Sequence, residues 1–93
     1  MIKSFADSDT AALYAGREVR RFRGYRIQAE RRLAILRNAK RLGDLAGLRS
    51  NRLEALSGGR AGQYSIRVNR QYRVCFRWFD NNAYDVEIVD YHR

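Results

Sequence analysis

Ninety-three residues leave room for one domain, spanning 1–93, and a chain of this size buries only about 60–65% of its extended surface, so every apolar residue counts. Hydrophobic residues at 45% exclude a disordered tail, while 19 basic against 10 acidic residues, a net +9, call for a polyanionic partner. A lone Cys75 excludes a disulfide framework, a zinc knuckle and a CxxC redox site; apolar runs such as Leu33-Ala34-Ile35-Leu36 are far below membrane-spanning length, and Asp7 and Asp9 follow Met1–Ser4 too closely for a signal peptide to be expected.

The expectation is a cytoplasmic protein of a reducing compartment. In chain order, Ile2-Lys3-Ser4-Phe5 alternates apolar and polar and predicts a short strand. Asp7 or Ser8 offers an N-cap for a helix carrying Ala11, Ala12, Leu13 and Tyr14, ended by Gly16. A longer helix is predicted from about Arg26 to Arg41. Its apolar stripe runs through Ala29, Leu33, Leu36 and Lys40, widened by Ile35, Ala39 and Leu42. Gly43 and Gly47 punctuate its end, with Asp44-Leu45-Ala46 as a further turn. Between Arg17 and Arg41 stand ten basic residues against Glu18 and Glu30, a net +8. Two readings follow: a solvated helical face, or a landing surface for RNA phosphates or an acidic protein.

The second half reads as a β-meander. Tyr64, Ile66 and Val68, then Tyr72, Val74, Phe76 and Trp78, then Tyr84, Val86 and Ile88 make the even-numbered face apolar. Parity sets Val68 against Tyr72, Ile66 against Val74 and Tyr64 against Phe76, around a turn at Asn69-Arg70-Gln71. It also sets Trp78 against Tyr84 and Phe76 against Val86, around Asp80-Asn81-Asn82. The even face should pack on the helical stripe. On the opposite face Arg77 pairs with Asp85, Gln71 faces Tyr91, and Arg67 faces Arg73. Like charges directly opposed destabilise a sheet, so an anion between these two arginines is expected.

The single histidine, His92, follows Asp90-Tyr91. His and Tyr suit proton transfer, so Arg73, Asp90, Tyr91 and His92 form a candidate catalytic cluster, weighed against the common case of an idle terminal histidine. One His, one Cys and dispersed carboxylates make no closed metal site, and no cofactor is implied. Ser57-Gly58-Gly59-Arg60-Ala61-Gly62 is glycine-rich, yet it precedes a strand, which is wrong for a phosphate loop. It reads as a flexible connection or as a loop that delivers Arg60.

Several segments resemble the HigB branch of the RelE-like toxins. They are Met1–Phe5, Asn51-Arg52-Leu53-Glu54-Ala55-Leu56, Gly58 with Arg60, Gly62–Asn69, Tyr72–Trp78 and Val86–His92. The resemblance implies an α+β fold, two N-terminal helices packed on a curved antiparallel sheet. It further implies a ribosome-dependent mRNA endonuclease from a toxin–antitoxin operon, neutralised by a HigA-type helix-turn-helix antitoxin. Arg73, Asp90, Tyr91 and His92 match the positions such toxins use around the scissile phosphate. Glu54 and Ser57 stand where some members carry His and Lys, which leaves Arg60 or Arg67 to supply the cation and Glu54 as a minor candidate base. The expected chemistry is metal-independent attack of a 2′-hydroxyl on its own 3′-phosphate. Two alternatives remain at this level: a non-catalytic basic module that binds RNA or the ribosome and blocks translation, and a DNA-binding regulator, disfavoured by the lack of a recognition helix.

Overall fold

The alternation over residues 64–90 builds the sheet on which everything else rests. In the computed structural model, which describes residues 1–91, strands β1 (Glu54–Ala55), β2 (Tyr64–Arg67), β3 (Tyr72–Phe79) and β4 (Asn82–Asp90) form one antiparallel sheet in that order. The β2–β3 register is the expected one, with Tyr64 opposite Phe76, Ile66 opposite Val74 and Arg67 opposite Arg73. Its turn is fixed by Asn69, whose Oδ1 accepts from the backbone N–H of Gln71 and of Tyr72, each at 2.8 Å.

The β3–β4 hairpin departs from simple parity. Val74 opposes Ile88, as expected, but past Cys75 the register slips by one residue, so that Arg77 faces Tyr84 and Trp78 faces Ala83 rather than Tyr84. Phe76 therefore meets Asp85 and Val86 together. Asp85 absorbs the extra residue in a left-handed conformation, φ 52°, which a short polar side chain tolerates. The turn is Asp80-Asn81, two residues at φ 53° and 60°, and Asn82 belongs to β4. That is the mirror-image turn whose twist suits a two-residue hairpin. As a result Ala83 enters the core, fully buried, while Tyr84 turns to the other face beside Phe79. Arg77 still reaches Asp85, at 3.5 Å.

The same bulge shapes the N-terminus. Residues 1–6 run parallel to β4, with Lys3 N–H on the Ala83 carbonyl at 2.8 Å and Ala6 N–H on that of Val86 at 2.9 Å. Ser4 Oγ takes the Asp85 N–H at 2.9 Å. The predicted first strand is thus two separate bridges, at Ile2 and Phe5, split where the edge of β4 bulges.

Helix α1 (Ser8–Tyr14) starts on an Asp7 N-cap, whose carboxylate accepts from Thr10 N–H at 3.1 Å, and Gly16 at φ 90° follows it. Helix α2 (Arg26–Asn38) is shorter than predicted, and Leu42–Gly47 forms a separate α3. The break falls at Lys40 and Arg41, whose backbone N–H groups both donate to the Asp44 carboxylate, at 2.9 and 3.1 Å. Those bonds hold the Asp44 carboxyl below its ordinary range. Ahead of α2 lies a 3₁₀ turn, Arg20–Tyr25, that the sequence reading missed; its Phe22 is completely buried. Phe22, Ala29, Leu33 and Leu36 pack with Leu13 and Leu45 against Ile66, Val74, Phe76, Val86 and Ile88 of the sheet. One face, even-numbered except at Ala83 beyond the bulge, thus meets the helices, and the opposite face is left for other work. No described helix is long and apolar enough to cross a membrane.

Candidate active site

One row of cross-strand partners runs over the open face of all four strands. Glu54 opposes Ser65, Ser65 opposes Cys75, and Cys75 opposes Glu87, giving one row from β1 to β4. Arg73, two residues before Cys75 on β3, lays its side chain over this row and is buried, 8% exposed. Its Nε donates to Ser65 Oγ at 2.7 Å and its Nη2 to the carbonyls of Arg52 and, at 3.3 Å, Ser65. Glu54 stands 3.8 Å from Nη2. Arg52 sits at φ 44°, in the left-handed region after the 3₁₀ turn Arg49–Asn51, and presents that carbonyl to Arg73. Arg73 is therefore held in one orientation mainly by neutral acceptors, and its charge is only loosely answered by an exposed carboxylate.

At the other end of the row, the 3₁₀ turn Gly58–Arg60 swings Arg60 onto Glu87, at 2.9 Å, and Gln63, at 3.0 Å. The hydrogen bond it donates to Glu87 raises the Arg60 guanidinium above its ordinary value. Between the two arginines lies Cys75, fully buried; loss of solvation pushes its thiol up, so it is a neutral thiol rather than a thiolate nucleophile at neutral pH. Tyr91 completes the face. Its N–H donates to the Gln71 carbonyl at 2.7 Å, and Arg73 Cζ lies 5.8 Å from its ring centre.

The predicted residues therefore divide. Arg73, Tyr91, Glu54 and Arg60 share one face. Arg67 opposes Arg73 in register, as expected, and the two side chains turn to separate partners. Arg73 leans onto Ser65 and Arg52, while Arg67 Nε turns back onto the Asn69 carbonyl at 3.1 Å. Asp90 pairs with Tyr72, on the helix-side face, and its carboxylate accepts from Gln71 Nε2 at 2.9 Å, so it does not join Arg73. His92 lies outside the described residues. Ser65, Cys75 and Glu87 went unnoticed in the sequence, although their odd parity, shared with Arg73, was the available signal. Among the described residues no group of three or more His, Cys, Asp or Glu could hold a metal ion.

A sheet with helices on one face and anchored arginines on the other defines a small α+β architecture. Residues 3–92 match the HigB-like toxins, described as the RelE-like toxin of the type II toxin–antitoxin system HigB. The chain belongs to that family. It is 47% identical over 53 residues to Toxin HigB-1 of Vibrio cholerae serotype O1 (strain ATCC 39315 / El Tor Inaba N16961); the match covers 57% of this chain and 56% of that protein, a little over half the length of the curated relative. In structure it is similar to a chain of the YoeB–YefM complex from Staphylococcus aureus, with a TM-score of 0.63, 20% identity, and coverage of 100% of this chain and 99% of that one. A chain from a heterotetrameric complex of the YoeB–YefM toxin–antitoxin from the same organism gives a TM-score of 0.64 at the same identity and coverage. At that identity the likeness establishes the fold, α+β and RelE-like.

Proposed function

We propose that this single-domain toxin is a ribosome-dependent endoribonuclease that cuts mRNA without a metal and so arrests translation. The observation that carries the reading is Arg73, buried and fixed by Ser65 and Arg52, with the Tyr91 ring beside it. In the proposed reaction the 2′-oxygen of the RNA attacks the adjacent phosphorus and gives up its proton. The bond from phosphorus to the 5′-oxygen then breaks, and that oxygen takes a proton, leaving a 2′,3′-cyclic phosphate and a 5′-hydroxyl. Arg73 stabilises the charge that accumulates on the phosphoryl oxygens. A donor already locked in place pays no reorganisation cost, and one such group is worth about 3–4 kcal/mol. Arg60 is the second cation. Tyr91 and His92, adjacent in the chain, move the protons, with Glu54 as the nearest carboxylate to Arg73. Asp90, on the other face, acts by anchoring the end of β4 through Gln71. The ribosome supplies the alignment of the strand, and a HigA-type helix-turn-helix antitoxin is the proposed inhibitor.

The test is the chemistry of the cut ends. RNA cleaved on ribosomes should carry 2′,3′-cyclic phosphate, with the rate unchanged by EDTA. Cleavage that stops with EDTA, or that leaves 3′-hydroxyl ends, removes the scheme, and translation arrest with intact mRNA makes the protein a blocker that acts by occupancy.

A further inference from the structure

Beside the candidate site lies a groove of about 590 Å³ whose lining includes Arg32, Arg49, Arg52, Arg67 and Arg70 and no carboxylate. None of the ion pairs among the described residues involves any of these five arginines. Two are aimed by neutral acceptors. Arg32 Nη1 donates to the buried Asn51 Oδ1 at 2.7 Å, and Arg67 Nε to the Asn69 carbonyl at 3.1 Å. The crowding is electrostatically unfavourable: burial and the neighbouring Arg31 and Arg67 lower the Arg32 guanidinium below its ordinary value. A cation cluster that the fold leaves uncompensated is one that an external anion completes.

The groove is also continuous with the site just described. Arg67 is the cross-strand partner of Arg73, and Arg52 lines the groove while its carbonyl holds Arg73. We infer that this groove holds the backbone of the RNA strand next to the scissile linkage, each of several consecutive phosphates meeting an arginine fork; the inference rests on the endoribonuclease reading. Val68 is the one apolar residue in the lining. A protein segment docking here would find almost no apolar seat, whereas phosphate needs forks, which Arg supplies in bidentate geometry. Gln28, Ser50 and Asn69 add neutral donors suited to phosphate or ribose oxygens.

The test separates binding from cutting. A fluorescent 12-nucleotide 2′-O-methyl oligoribonucleotide lacks the attacking hydroxyl, so its affinity is read by anisotropy whatever the catalytic residues are. The double variant Arg49→Ala with Arg70→Ala removes two exposed groove cations. It should weaken binding roughly 20-fold at 0.1 M salt and flatten the salt slope by about 1.4, the values for two single-strand phosphate contacts. Arg17→Ala with Arg20→Ala, the same charge lost elsewhere on the surface, should change affinity by less than about a third of that on a logarithmic scale. Equal losses in the two double variants would reduce the groove to a share of net charge and overturn the inference. So would a poly-glutamate peptide of equal charge that binds as tightly and loses as much in the groove variant, since that outcome assigns the groove to an acidic protein. An Arg73→Ala variant that still cuts RNA defeats the catalytic reading alone, because the oligonucleotide result is independent of it.

Discussion

The helical surface and the open face of the sheet with its adjoining groove hold several of their arginines differently. In the helical half Arg21 meets Asp7 and Asp9, Arg23 meets Glu18, and Arg26 meets Glu30 four residues on, all near 3 Å and all partly exposed. On the sheet, Arg73 is buried against a hydroxyl and carbonyls, Arg67 bends to a carbonyl, and the arginines of the adjoining groove take no carboxylate at all. Pairing is partial in both: Arg60 with Glu87 and Arg77 with Asp85 are ion pairs of the sheet half, and Arg32, from the run with the densest charge in the sequence, belongs to the groove. Net charge alone names no surface; the proposed place of RNA binding follows from which charges the fold leaves unanswered.

Four changes break or sharpen that contrast. The largest effect is on the helical half as scaffold: Phe22→Ala empties a fully buried site beneath the arginine-rich turn and should cost about 3–5 kcal/mol in urea unfolding. A loss below 1 kcal/mol would mean that the turn is not a core element. Next, Arg60→Ala should slow RNA cleavage roughly 10-fold, the size of one charge-assisted hydrogen bond, with the melting temperature little changed.

The third change concerns pH. Tyr25 stacks on Tyr72 at 4.1 Å between ring centres, and burial, with the Tyr72 phenol, raises its ionisation well above the ordinary 10. Above about pH 10 the unfolded phenol loses its proton while the folded one keeps it, so this contribution to stability is complete below pH 10 and falls as pH rises beyond it. The slope from one such proton is at most about 1.4 kcal/mol per pH unit. Unfolding at pH 9 to 11 should show a shallower decline in Tyr25→Phe than in the wild type; identical slopes would remove Tyr25 as the cause. The smallest effect belongs to an exposed pair: Arg26→Ala should alter stability by less than about 0.5 kcal/mol and leave RNA cleavage unchanged.

Legibility in the sequence followed the same division. Strands β2 to β4, the β2–β3 register, the Asp7 cap and the opposition of Arg67 to Arg73 follow from alternation, parity and a capping side chain, all local signals, whereas the two-residue β1 has no such pattern. The bulge does not. Ala83-Tyr84-Asp85-Val86 alternates without a visible break, and only the left-handed Asp85 reveals that Ala83 rather than Tyr84 faces inward. Phe22 was hidden among arginines, and the end of α2 is set by Asp44, which pulls the chain into a new helix without Pro or Gly at the break. In the site, Arg73, Arg60, Glu54 and Tyr91 were legible from face and family likeness. Asp90 lies on the face opposite Arg73, because adjacent residues of a strand point to opposite faces, whichever motif they belong to. Ser65, Cys75 and Glu87 were missed because their role comes from lying in one row across four strands, a relation between distant segments.

The most direct measurement compares mRNA from ribosomes in cells expressing Arg73→Ala and Arg26→Ala, each checked for a native melting transition. A folded Arg73→Ala protein should leave mRNA intact, a loss of about 100- to 1,000-fold, while Arg26→Ala cuts at the wild-type rate. Wild-type cleavage by Arg73→Ala, or its abolition in a folded Arg26→Ala, would contradict the assignment of the chemistry to the sheet.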